Sequence, residues 1–174
     1  MNESDVKLSA LPWPERLAAV VRRVNGYVLT VLAFLLVACV VWQVISRYVS
    51  AKPSTVTDEL ARFTFMWIGL LGAAQASAHK QHLAIDLLAM KLRGGAKKAL
   101  NLLIECAIIA FASLVMIWGG WSLAAKTFAN QQVTPALQWP MGYVYMVVPV
   151  AGVLMVFFAL VAIHDTLRHE ESAS

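Results

Sequence analysis

The sequence predicts an all-α integral membrane protein: four transmembrane helices, an amphipathic interfacial helix before the first, and a short cytoplasmic interfacial helix between the second and third. Three observations predict it. Sixty per cent of the 174 residues are hydrophobic and 14% are charged, against roughly 45–50% and about 25% in soluble domains. The apolar residues gather in runs long enough to cross a bilayer, which takes about 20 residues as a helix. The basic residues flank those runs unevenly. A chain this short cannot bury so much apolar surface in water, which excludes a soluble enzyme and a disordered protein and leaves one membrane domain over residues 1–174.

The elements follow in order. Trp13-Pro14-Glu15 opens a helix over 13–23, with Pro14 tolerated in a first turn. Leu17, Val20, Val21 and Val24 recur on one face, while Glu15, Arg16, Arg22 and Arg23 take the others. This amphipathic pattern suits the membrane interface; the plainer reading is an extension of the first span. That span covers about 24–47, because no charge occurs between Arg23 and Arg47. Leu36-Val37-Ala38-Cys39 resembles a lipoprotein cleavage box, but the apolar run continues through Val44 and Ile45, so an uncleaved span is expected. The second span, about 56–78, starts where Thr55 or Thr57 serves as cap and Asp58 and Glu59 suit the positive helix end. The third covers about 97–126, and the fourth about 140–164, opening on Pro140 as first helical residue. Between the second and third, residues 82–93 are mostly apolar, yet as a helix they reach only about 18 Å. They are expected to lie in the cytoplasmic interface or against other spans, ending at Gly94-Gly95.

Ten of the 14 Lys and Arg residues fall in the N-terminal segment, the middle loop and the tail; Arg47, Lys52, Arg62 and Lys126 fall on the other side. The positive-inside rule then places both termini in the cytoplasm of a cell with an inner membrane. The net charge of +4 and pI near 9.3 therefore read as topology, not as nucleic-acid binding. Cys39 and Cys106 both sit in apolar runs, with no disulfide framework and no zinc spacing.

Groups able to do chemistry are few. No catalytic, substrate, cofactor or metal residue is assigned. Glu105 is the one ionisable residue well inside a charge-free run, and ionisable groups in spans are functional candidates. It lies about 10 Å along the helix from Lys98, so structural pairing with Lys98 or Arg93 is the plain reading, with a subunit contact or a proton relay as the sharper ones. His82 and Asp86 lie one turn apart and are expected to hydrogen-bond; His79 and His82 lack further metal ligands nearby. Asp58, Glu59 and Arg62 share one helix face at i, i+3 and i, i+4. The plain reading is a capped, dipole-matched helix end with a local ion pair; the sharper one is a Glu59–Arg62 pair, partly buried against the other spans or a partner, that ties this helix end down. Gly69, Ala73 and Ala76, with Gly72 beside them, form a small-residue stripe that permits close helix packing. Trp67 reads as packing. Residues 126–139, with Pro135, form a polar outer loop.

These residues resemble a known family. Thr57-Asp58-Glu59-Leu60-Ala61-Arg62-Phe63-Thr64-Phe65-Met66-Trp67-Ile68-Gly69-Leu70-Leu71-Gly72-Ala73 is similar to the signature of the small membrane subunit of tripartite ATP-independent periplasmic (TRAP) transporters. His82-Leu83-Ala84-Ile85-Asp86 resembles its next element. Thr134-Pro135-Ala136-Leu137 before Pro140, with Tyr145 and Pro149, is similar to its segment before the last span. The resemblance covers about residues 25–165. It implies a DctQ-like small permease that scaffolds and anchors a large multi-span subunit, within membrane lipids, while a periplasmic binding protein delivers solute. It further implies sodium-coupled import of a carboxylate such as sialic acid, a C4-dicarboxylate, a keto acid or a sugar acid. Two alternatives stand beside it: a haem-bearing anchor of a redox complex, which would want centrally placed histidine pairs, and a stand-alone four-span exporter, which would want a central acidic residue.

Overall fold

The computed structural model describes residues 13–49, 54–78 and 95–171. These are helical apart from Ser54 and the loop over residues 130–140, and no strand occurs among them. The expected interfacial helix at 82–93, with His82 and Asp86, lies outside the described residues.

Helix α1 is Trp13–Val49, 37 residues long. Residues 13–23 are therefore its first turns and not a separate element: no Gly or Pro breaks the chain after Pro14 until Gly26, which stays helical. Helix α2 is Thr55–Ala78. Ser54 caps it, in place of Thr55 or Thr57. The Ser54 carbonyl accepts Asp58 N at 3.2 Å and the Thr57 hydroxyl at 3.1 Å.

Helix α3, Gly95–Phe111, a π-helical segment, Ala112–Gly119, and helix α4, Gly120–Ala129, form one rod. Both residues at the segment's ends, Phe111 and Gly120, keep right-handed helical dihedrals. Helix α5, Met141–Tyr145, and helix α6, Val147–Glu171, follow the loop. Pro140 is the cap of α5 with an extended ψ of 120°, so it precedes the helix instead of opening it. The break at Met146 has a local cause: Pro149 has no N–H to donate to the Tyr145 carbonyl.

Helix α2 lies between α1 on one side and α6 on the other, and α6 packs in turn on the α3–π rod. The core joins Leu71 of α2, Ala112 and Met116 of the π segment, and Val147 and Ala151 of α6. Two glycines set the approach of the rod to α6. A Cβ on Gly152 would fall 2.8 Å from Met116 Cβ, and one on Gly120 would fall 2.8 Å from Val148 Cγ1 and 2.9 Å from Pro149 Cδ.

Among the described residues, three helical stretches are long and apolar enough to cross a membrane: Trp13–Val49, Ala99–Ala129 and Met141–His164. Helix α2 has the length, 24 residues, but not the apolarity, because Asp58, Glu59, Arg62, Gln75 and Ser77 dilute it. Its polarity is largely turned inward: Glu59, Thr64 and Ser77 are buried. Helix α1 shows the same inward polarity with a far more exposed apolar surface. In α1 only Asn25, Cys39 and Ser46 are buried, and Val31, Phe34 and Val37 point outward.

The small-residue stripe does not pack against the other described residues at Gly69 and Gly72. A Cβ on Gly69 or Gly72 meets nothing within 4 Å. The glycines that packing demands are Gly120 and Gly152, together with Gly142, where a Cβ would run into the Phe128 ring. Gly152→Ala is accordingly expected to destabilise the fold by about 1–3 kcal/mol through overpacking. Gly69→Ala should be neutral or stabilising by up to about 1 kcal/mol from helix propensity. Thermal unfolding of the two variants in mild detergent, followed by circular dichroism, separates them.

Candidate functional site

The polar groups of this fold gather on α2 and its two neighbours. Near the N-terminal end of α2, Glu59 lies in the second turn of the helix. Its Oε2 accepts two consecutive backbone N–H groups of the loop, Ala136 at 2.7 Å and Leu137 at 3.0 Å. Two adjacent peptide donors converging on one oxygen make an anion-holding nest. Glu59 is 8% exposed, and its Oε1 has no hydrogen-bond partner among the described residues.

The loop folds to meet that oxygen. Thr134, fully buried, donates its N–H to the Trp139 carbonyl at 2.8 Å. Its hydroxyl oxygen accepts Trp139 N at 3.1 Å. Its carbonyl accepts Gln138 N at 3.1 Å. An isolated bridge joins Val133 to Pro140. Two non-glycine residues, Gln131 at φ 50° and Gln138 at φ 56°, take left-handed backbone, a cost of roughly 1 kcal/mol or more each that the loop's hydrogen bonds offset. Pro135 is exposed, and its carbonyl accepts Gln138 Nε2 at 3.0 Å.

Glu59 and Arg62 do not pair. Arg62 Nη2 instead reaches Asp58 Oδ2 at 2.6 Å, with side chains 75% and 49% exposed. The helical geometry explains it. Residues four apart stand about 40° apart around the axis and three apart about 60° on the other side. Arg62 thus follows Asp58 to the open face while Glu59 turns to the loop.

Trp67 does more than fill space: its Nε1 donates to the Val144 carbonyl at 3.1 Å, joining α2 to α5. Gly69 is exposed and Gly72 half-buried. Glu105 is half-buried and engaged in a polar or electrostatic interaction.

Sequence reasoning missed the pairing of α1 with α2. Asn25, 5% exposed, donates to the Leu71 carbonyl at 3.1 Å and to Gln75 Oε1 at 2.9 Å. Gln75 Nε2 donates back to the Arg22 carbonyl at 3.2 Å. At the far end Gln43 Nε2 donates to the Thr57 carbonyl at 3.0 Å. Lone amides in apolar runs were the available signal, since such groups hydrogen-bond across helices in membranes.

Together these contacts fasten α1, the outer loop and α5 to α2. Glu59→Ala should leave two loop N–H groups without their charged acceptor, at about 1.5–3 kcal/mol per bond. Arg62→Ala breaks only an exposed helix pair, worth about 0.3–0.5 kcal/mol. Thermal unfolding should therefore fall clearly for the first variant and hardly for the second; equal losses would contradict the clasp.

The chain matches the family model described as tripartite ATP-independent periplasmic transporters, DctQ component, over residues 36–169. It is similar to the sialic acid TRAP transporter small permease protein SiaQ of Vibrio cholerae, 26% identical over 152 residues, covering 87% of this chain and 86% of the relative. It is similar to the isethionate TRAP transporter permease protein DctMQ of Oleidesulfovibrio alaskensis, 26% identical over 122 residues. That match covers 67% of this chain but 19% of the longer relative. A putative TRAP transporter small permease protein of Haemophilus influenzae is 27% identical over 112 residues, 64% of this chain and 68% of the relative. The chain belongs to the DctQ family, a component of TRAP transporters and not an enzyme.

Proposed function

We propose that this chain is the scaffold and anchoring subunit of a sodium-coupled secondary transporter. In this reading it acts with a large multi-span membrane subunit, and a periplasmic binding protein delivers a carboxylate solute. The observation that carries the reading is where its buried polar groups go. Asn25, Ser46, Glu59, Thr64, Thr127 and Thr134 are each hydrogen-bonded within the chain. A substrate or ion site at mid-membrane depth is normally built from broken helices and their freed polar ends. Here they are engaged inside the chain instead: Asn25 and Glu59 tie separate elements together, while Ser46, Thr64 and Thr127 bond carbonyls of their own helices. The DctMQ relative supports a large partner, because the matched region makes up only 19% of that permease. Sialic acid, named for the SiaQ relative, fits the carboxylate class. The open face at Gly69 and Gly72, with Glu105, is assigned to contact with the large subunit.

In the bilayer, α2 acts as a fourth span inside the other three. Its polar side is screened by α1 and the outer loop, which is how a helix carrying Glu59 and Gln75 meets the rule that polar groups at membrane depth be satisfied. Both termini face the cytoplasm, and the 130–140 loop faces the periplasm. Helix α1, at about 1.5 Å per residue, is about 55 Å long and exceeds the roughly 30 Å hydrocarbon core. Residues 13–23 therefore run on in the cytoplasmic interface.

Sodium-driven uptake in proteoliposomes is expected only when the large subunit and binding protein accompany this chain. Uptake by the chain alone would reject the scaffold role. A reporter active only in the periplasm should be silent at Ser174 and active beside Gln131; the reverse pattern would reject the topology.

A further inference from the structure

Helix α1 carries two rows of residues at one spacing. Asn25, Cys39 and Ser46 are its buried residues. With Leu32, which packs against the core, they recur every seven residues on the side that meets α2. Trp13, Val20, Tyr27, Phe34, Val41 and Tyr48 also recur every seven residues, unbroken along the helix. All six are exposed, the aromatic ones most, at 78%, 68%, 72% and 85%. This second row follows the first by two residues, about 200° around the axis, so it points away from α2 along its whole length. A seven-residue row drifts by about 20° per heptad on a straight helix. The buried row shows α1 keeping to the repeat against α2, and the exposed row keeps to it with it.

Such a row is what one helix offers another, as knobs for the holes of a facing surface. Lipid sets no such direction: aromatic belts fix the depth of a side chain, not its bearing around the helix. Four of the five aromatic residues of α1 nevertheless share one bearing. From Trp13 to Tyr48 the row is about 52 Å long, against a hydrocarbon core of roughly 30 Å, so lipid tails do not cover all of it. Charge and size define the cover. Arg23 is exposed and stands one turn before Tyr27, about 40° from it around the axis. A second copy of this chain, paired in parallel along the row, would set its own Val28 where a helix pair places the charge facing Arg23. It would also drive each aromatic ring against its own copy. A helix with small residues along the seam accepts the rings, since small residues let helices approach closely in membranes. An acidic residue level with Arg23 supplies the missing charge.

We propose that α1 lays its aromatic row along one membrane helix of the large subunit. That helix presents Gly, Ala or Ser at seven-residue spacing and an acidic side chain opposite Arg23. The seam is a contact additional to the open face of α2, and it makes α1 the shared wall of the two subunits, with α2 on one side and the partner helix on the other. It rests on the reading of a large membrane partner given above, and not on the identity of the solute.

Photo-crosslinking in native membranes, with the full chain co-expressed with its large subunit, tests it. 4-Benzoylphenylalanine replaces Tyr27, Phe34 or Tyr48 in turn, and the crosslinked peptides are sequenced. Val40, about 100° from each row, is the control, and Gly69 samples the open face of α2. The three row positions should react with a single helix of the large subunit, at points about seven and then about 14 residues apart, and Val40 should not react with that helix. Phe34→Ala should lower the yield of co-purified large subunit by about tenfold or more, the loss expected of an anchor residue. Arg23→Gln should also lower it, and Arg23→Lys should restore most of it. Crosslinks to a second copy of this chain, to lipid alone, or to points scattered over several helices would overturn the proposal. So would equal reaction from Val40. Crosslinks to the large subunit from Gly69 and none from the row would overturn the seam and leave the scaffold reading standing. No large-subunit product from any position would overturn both.

Discussion

A carboxylate removed from water costs several kcal/mol unless hydrogen bonds replace its hydration. Glu59 is such a group, 8% exposed at the head of α2, and much of the outer half of the molecule follows from supplying it. Two peptide N–H groups must arrive side by side, so Thr134 to Trp139 close into a tight turn. That turn sets where Pro140 stands and where α5 begins. The position of α5 in turn brings the Val144 carbonyl to Trp67. One buried charge thus couples the start of α2 to the loop that leads into the last long helix.

The inner half solves the same problem with amides. Asn25 donates to the Gln75 side chain and to the Leu71 carbonyl, and Gln75 donates to the Arg22 carbonyl of the partner helix. Measured values for such contacts in membranes average only about 0.6 kcal/mol, so they stabilise little individually. Their larger effect is to exclude other registers, because a slid or rotated α1 would strand the amides in hydrocarbon. The Gln43–Thr57 bond does this at the outer end. With both ends held, α1 needs little further packing, which agrees with its three buried residues in 37.

Close packing is concentrated elsewhere, between the rod of α3, the π segment and α4, and helix α6. The glycines at 120 and 152 let backbones approach where side chains could not fit. The wider π turns lie at the same level, around Met116. A membrane subunit assembled this way has one tightly fitted seam, one polar-fastened hairpin and broad apolar outer faces. Such a surface suits lipid and a larger partner, and it supplies no constellation for catalysis among the described residues.

Much of this was legible in the sequence. Composition and charge-free runs determined that the chain is helical and membrane-embedded, because hydrophobic length is a property of consecutive residues. The acidic and Trp-bearing pattern from Asp58 to Ala73 carried the family, and Glu59, Trp67 and the 134–140 segment were marked before their contacts were known. What the linear order could not decide was direction around each helix and contact across about 77 residues. Glu59 and Arg62 share a turn, yet one accepts N–H groups from Ala136 and Leu137 while the other stays at the surface with Asp58. Gly69 and Gly72 formed the better packing pattern on paper, but Gly120 and Gly152 took that role. Periodicity assigns a residue to a face of its helix; which face meets which neighbour is settled only when all the helices compete for the same buried surface.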